Sequence, residues 1–239
     1  TISAADLHHT ETRLLPKNKR TYDESWFAPR DPGLGTVLVM LGVEGEIPEL
    51  AHHNFLFSDD WSDDFDAVFN GPVASRPQAA SQSIYVSKPS ATDPSVAPAG
   101  HENLFVLVPV PADPSVGHGD MYRGEASEQV QRIAEAAIEQ IAARCGVAGL
   151  GRRIVVKQTL GPADFAERYN AWSGGSIGPA HTLRQSAFLR GTNKSRKLDT
   201  LMYAGATTTP GVGVPMCLIS AENVLKRVRG DRSSGPLDH

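Results

Sequence analysis

The sequence has little cysteine: Cys145 and Cys217 are the two in 239 residues. Two are too few for a disulfide framework, so reduced thiols in a cytoplasmic chain are the expectation. Basic residues show no surplus, with 23 Lys and Arg against 27 Asp and Glu. That balance argues against nucleic acid as a partner, because phosphate backbones are bound by basic patches. No apolar run approaches the roughly 20 residues that cross a bilayer, so a soluble or peripheral chain is expected. No repeat recurs at solenoid periods. An initiator Met and a signal-peptide pattern are both missing. Ile2 to Asp6 reads like the end of a buried strand, and an N-terminal portion is expected to precede it. What is present is ordinary for a globular protein: 40% hydrophobic and 21% charged residues, enough for one or two cored domains. Composition leaves the oligomeric state open.

Strand-like and helix-like segments alternate along the chain. Ile2 to Ala5, Thr36 to Val43, Asn54 to Phe57, Gln82 to Ser87, Leu104 to Val110, Ile154 to Thr159 and Leu198 to Ala204 read as strands. Helices are expected over Leu7 to Leu15, Asp59 to Phe69, Glu125 to Arg144, Pro162 to Tyr169 and Pro215 to Val228. In the longest, Val130, Ile133, Ala134, Ala137, Ile138 and Ile141 follow the 3.6 period. In Asp59 to Phe69 the spacing puts Trp61, Phe65, Val68 and Phe69 on one face. The tail from Asp231 is expected to be disordered. The interleaving implies an α+β, α/β-like architecture with a mixed sheet and flanking helices.

The sharpest local feature is a strand, a glycine-rich turn and a helix: LMYAGATTTPGVGVPMCLISAENVLKRV. Gly205, Gly211 and Gly213 permit positive φ and close approach of a ligand to backbone. Thr207, Thr208 and Thr209 are expected to add hydroxyl donors. The following helix offers unpaired N–H groups and a partial positive charge at its N-terminus. Such a turn suits a nucleotide cofactor, and equally suits a plain corner. Gly211-Val212-Gly213 approaches the dinucleotide fingerprint, but a founding βαβ unit needs roughly 30 residues. Too little chain follows, so the turn closes a nucleotide domain rather than opening one.

GATTTPGVGVP, followed by Ser220-Ala221 in the helix, resembles the closing FAD motif of bacterial carotenoid (phytoene-type) desaturases. Further blocks match that family in order. They are Gln185-Ser186-Ala187-Phe188 with Arg190 and Asn193, and Asp164-Phe165 through Tyr169-Asn170-Ala171. Thr92-Asp93-Pro94-Ser95, Ala97-Pro98-Gly100, Val106 to Pro111 and Leu50-Ala51-His52-His53 complete the set with the opening AADLHHTETRLLP. The family's first FAD fingerprint is absent. Thr209 stands where many members have His, Gly191-Thr192 where many have Pro-His, and Met216 where Gly is common.

The resemblance implies an FAD-dependent oxidoreductase that desaturates a long, neutral isoprenoid by hydride transfer to flavin. Residues 1–20 would belong to the FAD-binding domain and 21–190 to a substrate domain with a mixed sheet. Residues 191–239 would return to a Rossmann-like FAD domain. Gly205, Ala206, Thr207, Pro210, Gly211, Gly213 and Val214 would line the ribityl and isoalloxazine side of the cofactor. Lacking the first fingerprint, this chain alone is expected to hold FAD weakly and to be inactive by itself. No catalytic base is identified. A related flavin isomerase or amine-oxidase-like enzyme, and a non-catalytic lipid-binding module, are the alternatives.

Other groupings point less clearly. His8-His9 and His52-His53 lack any completing ligand spacing, which argues against zinc. Asp59, Asp60, Asp63, Asp64 and Asp66 lack the calcium-loop pattern and read as a solvated helix start. Lys226, Arg227 and Arg229 suit the last turn of a helix, with peripheral contact to the inner face of a membrane as the rival reading. Cys145 and Cys217 read as packed thiols, and Ser220 lacks a hydrolase elbow. Trp172, beside Gly174-Gly175, either borders a pocket or anchors a core.

Overall fold

A computed structural model describes residues 1–237. In chain order its elements are β1 (Ile2–Ser3), α1 (Leu7–His9), α2 (Glu24–Phe27), β2 (Leu34–Glu44), β3 (His53–Leu56) and α3 (Trp61–Phe69). There follow β4 (Ile84–Ser87), β5 (His101–Pro111), α4 (Glu128–Cys145), α5 (Leu150–Arg153), β6 (Ile154–Leu160), α6 (Pro162–Tyr169), β7 (Met202–Tyr203) and α7 (Val214–Arg229). The α+β class is as expected. The strand pairing is divided rather than mixed within one sheet. Five strands form an antiparallel sheet in the order β3-β4-β5-β2-β6, and β1 pairs β7 in parallel.

The chain folds as two compact units. One holds residues 34–165; the other holds residues 1–33 with the chain from 166 onward. The sheet unit is thus narrower than the 21–190 segment. The reason lies in aromatic side chains: Tyr22 and Phe27 are buried with Leu7, Leu201 and Tyr203, and Trp26 and Trp172 pack against that cluster.

In the sheet unit, β2 and β5 run side by side in one register, Val37 opposite Val108, Val39 opposite Val106 and Leu41 opposite Leu104. These residues share one face because strand side chains alternate, and all are buried. Helix α4 lays Val130, Ile133, Ala134, Ala137 and Ile141 on that face. Each fully buried Val or Ile contributes about 1.5–3 kcal/mol, which makes this the stability centre of the unit. Gly146 ends α4 in the left-handed conformation, φ 73°.

As the spacing implies, Trp61, Phe65, Val68 and Phe69 of α3 lie toward one cleft, but the three rings stay 52%, 57% and 45% exposed. Asp64, Ala67 and Val68 point inward. The Asp64 carboxylate sets this rotation. It accepts hydrogen bonds from Ser58 Oγ (2.5 Å), Ser83 Oγ (2.6 Å), the Gln82 and Ser83 amides (2.9 and 3.1 Å) and Arg76 Nε (2.8 Å). A carboxylate with so many donors draws the helix in by its polar side. Asp60 caps the N-terminus by accepting from the Ser62 amide at 2.8 Å.

The tail expected to be disordered from Asp231 includes Asp238 and His239, which lie outside the described residues. Up to Leu237 it folds back on α7. The Leu237 amide donates to Glu222 Oε1 at 2.6 Å, and Lys226 Nζ donates to the Ser233 and Gly235 carbonyls. Lys226 also lies 3.8 Å from Glu222 Oε1, so it ties the tail to α7. Among the described residues no helix is long and apolar enough to cross a membrane.

Asp64 predicts an acid-sensitive sheet unit. Burial alone would raise its carboxyl, but the hydrogen bonds from Ser58, Ser83, Gln82 and Arg76 outweigh it and hold it well below the usual carboxylate range. A depressed carboxyl contributes stability above the unfolded value, about 3.9, and loses it as pH falls further. Asp64→Ala, which strands the buried Arg76 charge, is expected to cost about 3–5 kcal/mol. Urea unfolding across an acid pH series should show this loss at neutral pH, with the gap to the native chain narrowing toward pH ~2.

Candidate functional site

A glycine-rich loop has few side chains of its own to hold it, so neighbours must. In this unit a buried hydroxyl does so. Ser220 projects from α7, is fully buried, and accepts from the Gly205 amide at 3.0 Å. Asn193 Nδ2 lies within hydrogen-bond reach of the same Ser220 Oγ (3.0 Å), the Thr209 carbonyl (2.9 Å) and the Tyr203 carbonyl (3.1 Å). One serine and one asparagine therefore join strand β7, the loop and α7.

The three threonines do not face outward as donors. Thr208 is buried and its hydroxyl donates to the Gly205 carbonyl at 3.1 Å. Thr207 Oγ1 accepts from the Leu7 amide at 3.0 Å. The Thr209 hydroxyl points to the Ala187 and Gly191 carbonyls at 3.1 and 3.0 Å, and its amide donates to Gly191 at 2.7 Å. The physical reason is that buried backbone groups need partners: Thr208 and Thr209 supply donors to carbonyls, and Thr207 supplies an acceptor to the Leu7 amide.

Arg190 holds the other side. It is 3% exposed and has no carboxylate within ion-pairing distance among the described residues. Its guanidinium donates to the carbonyls of Pro179 (2.8 Å), Gln185 (3.3 Å) and Ala206 (2.8 and 3.2 Å). Burial pulls its pKa down to about 10, so it stays charged at neutral pH. Gln185 clamps the backbone in turn, donating to Asp31 and Ala180 carbonyls and accepting from the Asp31 amide at 2.8 Å. The Gln-Ser-Ala-Phe block with Arg190 and Asn193 is thus scaffolding for the loop.

What remains outward is backbone. Gly205 has φ 120°, and a Cβ there would meet nothing nearer than Ala4 O at 3.9 Å. Gly213 has φ 108° and ψ 153°, a region almost reserved to glycine, and a Cβ there would meet only Pro215 Cδ at 4.0 Å. Gly213 also starts α7 with no side-chain cap; Pro215 has no N–H and Cys217 donates to the Gly213 carbonyl, which leaves the Val214 and Met216 amides at the helix start. Val214 is exposed beside it, while Ala206, Thr207 and Pro210 are half-buried. Gly211 is different: it is buried, and a Cβ would stand 2.9 Å from His181 Cε1. It serves close packing rather than an open wall.

Trp172 anchors a core. It packs edge-on against Phe27 at 5.1 Å and stacks near His8 at 5.8 Å. The cavity it borders with Asp6, Leu7 and Arg190 has about 10 Å³, room for roughly one water. His8 Nε2 lies 3.0 Å from Glu24 Oε2, and His52 and His53 bond to Thr92 and Tyr85. Sequence reasoning did not single out Glu11. It is wholly buried, accepts from the Thr21 and Tyr22 amides and from the Tyr203 hydroxyl. Burial first, and then that bond, push the Tyr203 phenol up. No local sequence signal marks such a residue, since its partners lie 10, 11 and 192 positions away.

No protein-family model matches the chain. Over 227 residues, 95% of the chain, it is 42% identical to carotenoid 3,4-desaturase of Haloarcula japonica, covering 43% of that protein. Over 237 residues it is 31% identical to a 4,4'-diapophytoene desaturase of Staphylococcus aureus, covering 98% of this chain and 46% of that one. The chain therefore spans less than half the length of these relatives. An oxidoreductase from Methanosarcina mazei has a similar fold, with a TM-score of 0.51 at 14% identity, covering 94% of this chain and 42% of that one.

The Ser220 knot gives a test that needs no ligand. Ser220→Ala leaves the Gly205 amide and one Asn193 N–H without this acceptor, at an expected cost of about 1–3 kcal/mol. Urea unfolding followed by circular dichroism measures it, with exposed Ser233→Ala expected to stay within about 0.5 kcal/mol of the native chain.

Proposed function

We propose that this chain, a stretch of the carotenoid desaturase family, carries one wall of an FAD site and the sheet domain that receives a long neutral isoprenoid. The whole protein would then desaturate that substrate by hydride transfer to flavin. The observation that carries this reading is the Gly205 to Gly213 loop. It offers uncovered backbone in glycine-only conformations at an uncapped helix N-terminus, within a stretch aligned to named desaturases. A Cβ-free wall of this kind fits a large, flat, polar-edged cofactor, which approaches backbone more closely than side chains allow.

On this reading Gly205, Ala206, Thr207, Pro210, Gly213 and Val214 would line the ribityl and isoalloxazine side, with Gly211 shaping the loop from behind. Bound FAD would supply the redox chemistry, taking a hydride from a saturated carbon of the substrate. The chain's own groups do the rest. The N-terminus of α7 favours negative charge next to it. Arg190, Asn193 and Ser220 hold the loop rigid, so that the wall does not reorganise when a ligand arrives. No side chain here is assigned a proton transfer.

The test is a titration of FAD into the chain, followed by quenching of flavin fluorescence. Weak but saturable binding is expected. Gly213→Val forces a β-branched residue into the φ 108° position, a strain of about 1–3 kcal/mol, and should weaken FAD about tenfold or more. Equal affinities for the two chains, or no saturation in the native one, would overturn the assignment.

A further inference from the structure

The rings that α3 leaves outside enclose something. Between α3 and the sheet lies a cleft of about 190 Å³, walled by Phe57, Trp61, Phe65 and Phe69 on one side and by Leu34 and Pro109 on the other. We infer that this cleft binds a neutral hydrocarbon segment, about one isoprene unit of a longer apolar chain. Calling the occupant an isoprenoid rests on the desaturase reading; its being apolar and uncharged rests on the cleft alone.

Size comes first. A dry apolar cavity of roughly 150 Å³ takes up benzene, so this cleft holds a group slightly larger. Hydrogen bonding comes second. The polar residues on its wall, Asp64, Ser81 and Ser83, are already engaged. Asp64 has its five donors, and the Ser83 hydroxyl is one of them. Ser81 Oγ donates to the Ser83 carbonyl at 3.0 Å and accepts from its amide at 2.9 Å. An occupant that needs hydrogen bonds would find none on offer, and would lose those it had in water.

Charge comes third. Asp59, Asp60, Asp63 and Asp66 stand around the cleft's helix, which carries no Lys or Arg. Arg76 is committed to Asp64. A fatty-acid carboxylate or an anionic bilayer surface is therefore repelled, and an uncharged chain is not. Exposed rings in this number mark a binding surface rather than chance exposure.

The cleft also has a continuation. Phe57 stacks on Trp61 at 5.4 Å and on Phe55 at 5.9 Å. Strand register then sets Phe55 beside Tyr85, Tyr85 beside Leu107, and Leu107 beside Leu38. That row crosses four strands, roughly 14 Å at the usual strand spacing. A chain too long for the cleft has an apolar track on which to lie.

The experiment compares cis-parinaric acid with its methyl ester, two fluorescent polyenes that differ in charge. The ester is expected to bind saturably, one per chain, with energy transfer from tryptophan. The acid should bind about tenfold more weakly, and the gap should narrow as salt screens the acidic rim. Phe65→Gln/Phe69→Gln should weaken the ester about tenfold, whereas Phe188→Gln, on an 81% exposed ring in the other unit, should not. Trp61→Phe keeps the cleft's bulk, so it should lose energy transfer while retaining binding. Circular dichroism checks that each variant is folded. Equal affinity for acid and ester, or an unchanged affinity in the folded double variant, would overturn the inference. Loss of ester binding with FAD titration intact sinks this site alone. An FAD titration insensitive to Gly213→Val, with ester binding intact, sinks the flavin reading and leaves the cleft.

Discussion

One buried hydroxyl organises the unit that carries the glycine-rich loop. Ser220 joins the Gly205 amide, Asn193 and α7, and the open backbone of the loop depends on that joint. A loop built for close approach has given up the side chains that would stiffen it. Stiffness must then come from elsewhere, and Arg190, Asn193 and the inward-turned threonines provide it. Thr208, Arg190 and Asn193 donate to the Gly205, Ala206 and Thr209 carbonyls of the loop. The front is left as bare backbone and the uncapped start of a helix. The same hydrogen-bond demand therefore explains both why the hydroxyls face inward and why the outward wall is glycine.

The sheet unit shows a parallel logic with another buried polar group. Asp64 collects donors from three neighbouring segments, and α3 rotates to deliver it. The cost of that rotation is three exposed rings. A helix placed by hydrophobicity alone would bury Trp61, Phe65 and Phe69 and expose the aspartate. Here the polar network outweighs the apolar preference, because a carboxylate with satisfied donors is stable when buried and rings can be left beside a cleft. In both units a buried polar residue decides which surface stays open.

Much of the architecture is legible in the residues themselves. The apolar alternation of β2 and β5 and the 3.6 period of α4 describe the sheet core well, since burial on one face requires those periods. The loop between β7 and α7 is equally readable, because glycines in that density permit conformations that other residues avoid. Strand β7 was expected over Leu198 to Ala204 and is only Met202–Tyr203. Before it the chain turns instead: the Leu201 amide donates to the Leu198 carbonyl at 3.1 Å and the Leu198 amide to Ser195 Oγ at 3.1 Å. Propensity does not report such side-chain substitutes for strand pairing.

The sequence by itself determined the element types, the α+β class and the position of the glycine wall. These follow from local chemistry: side-chain period, chain stiffness and backbone freedom. Tertiary structure decided the unit boundaries, the inward aim of Thr207 to Thr209, the clamping role of Arg190 and the rotation of α3. Each of these depends on which donors and acceptors meet across large separations. A hydroxyl or carboxylate carries no mark in the sequence of whether it will face solvent or a carbonyl far along the chain; only packing supplies its partner.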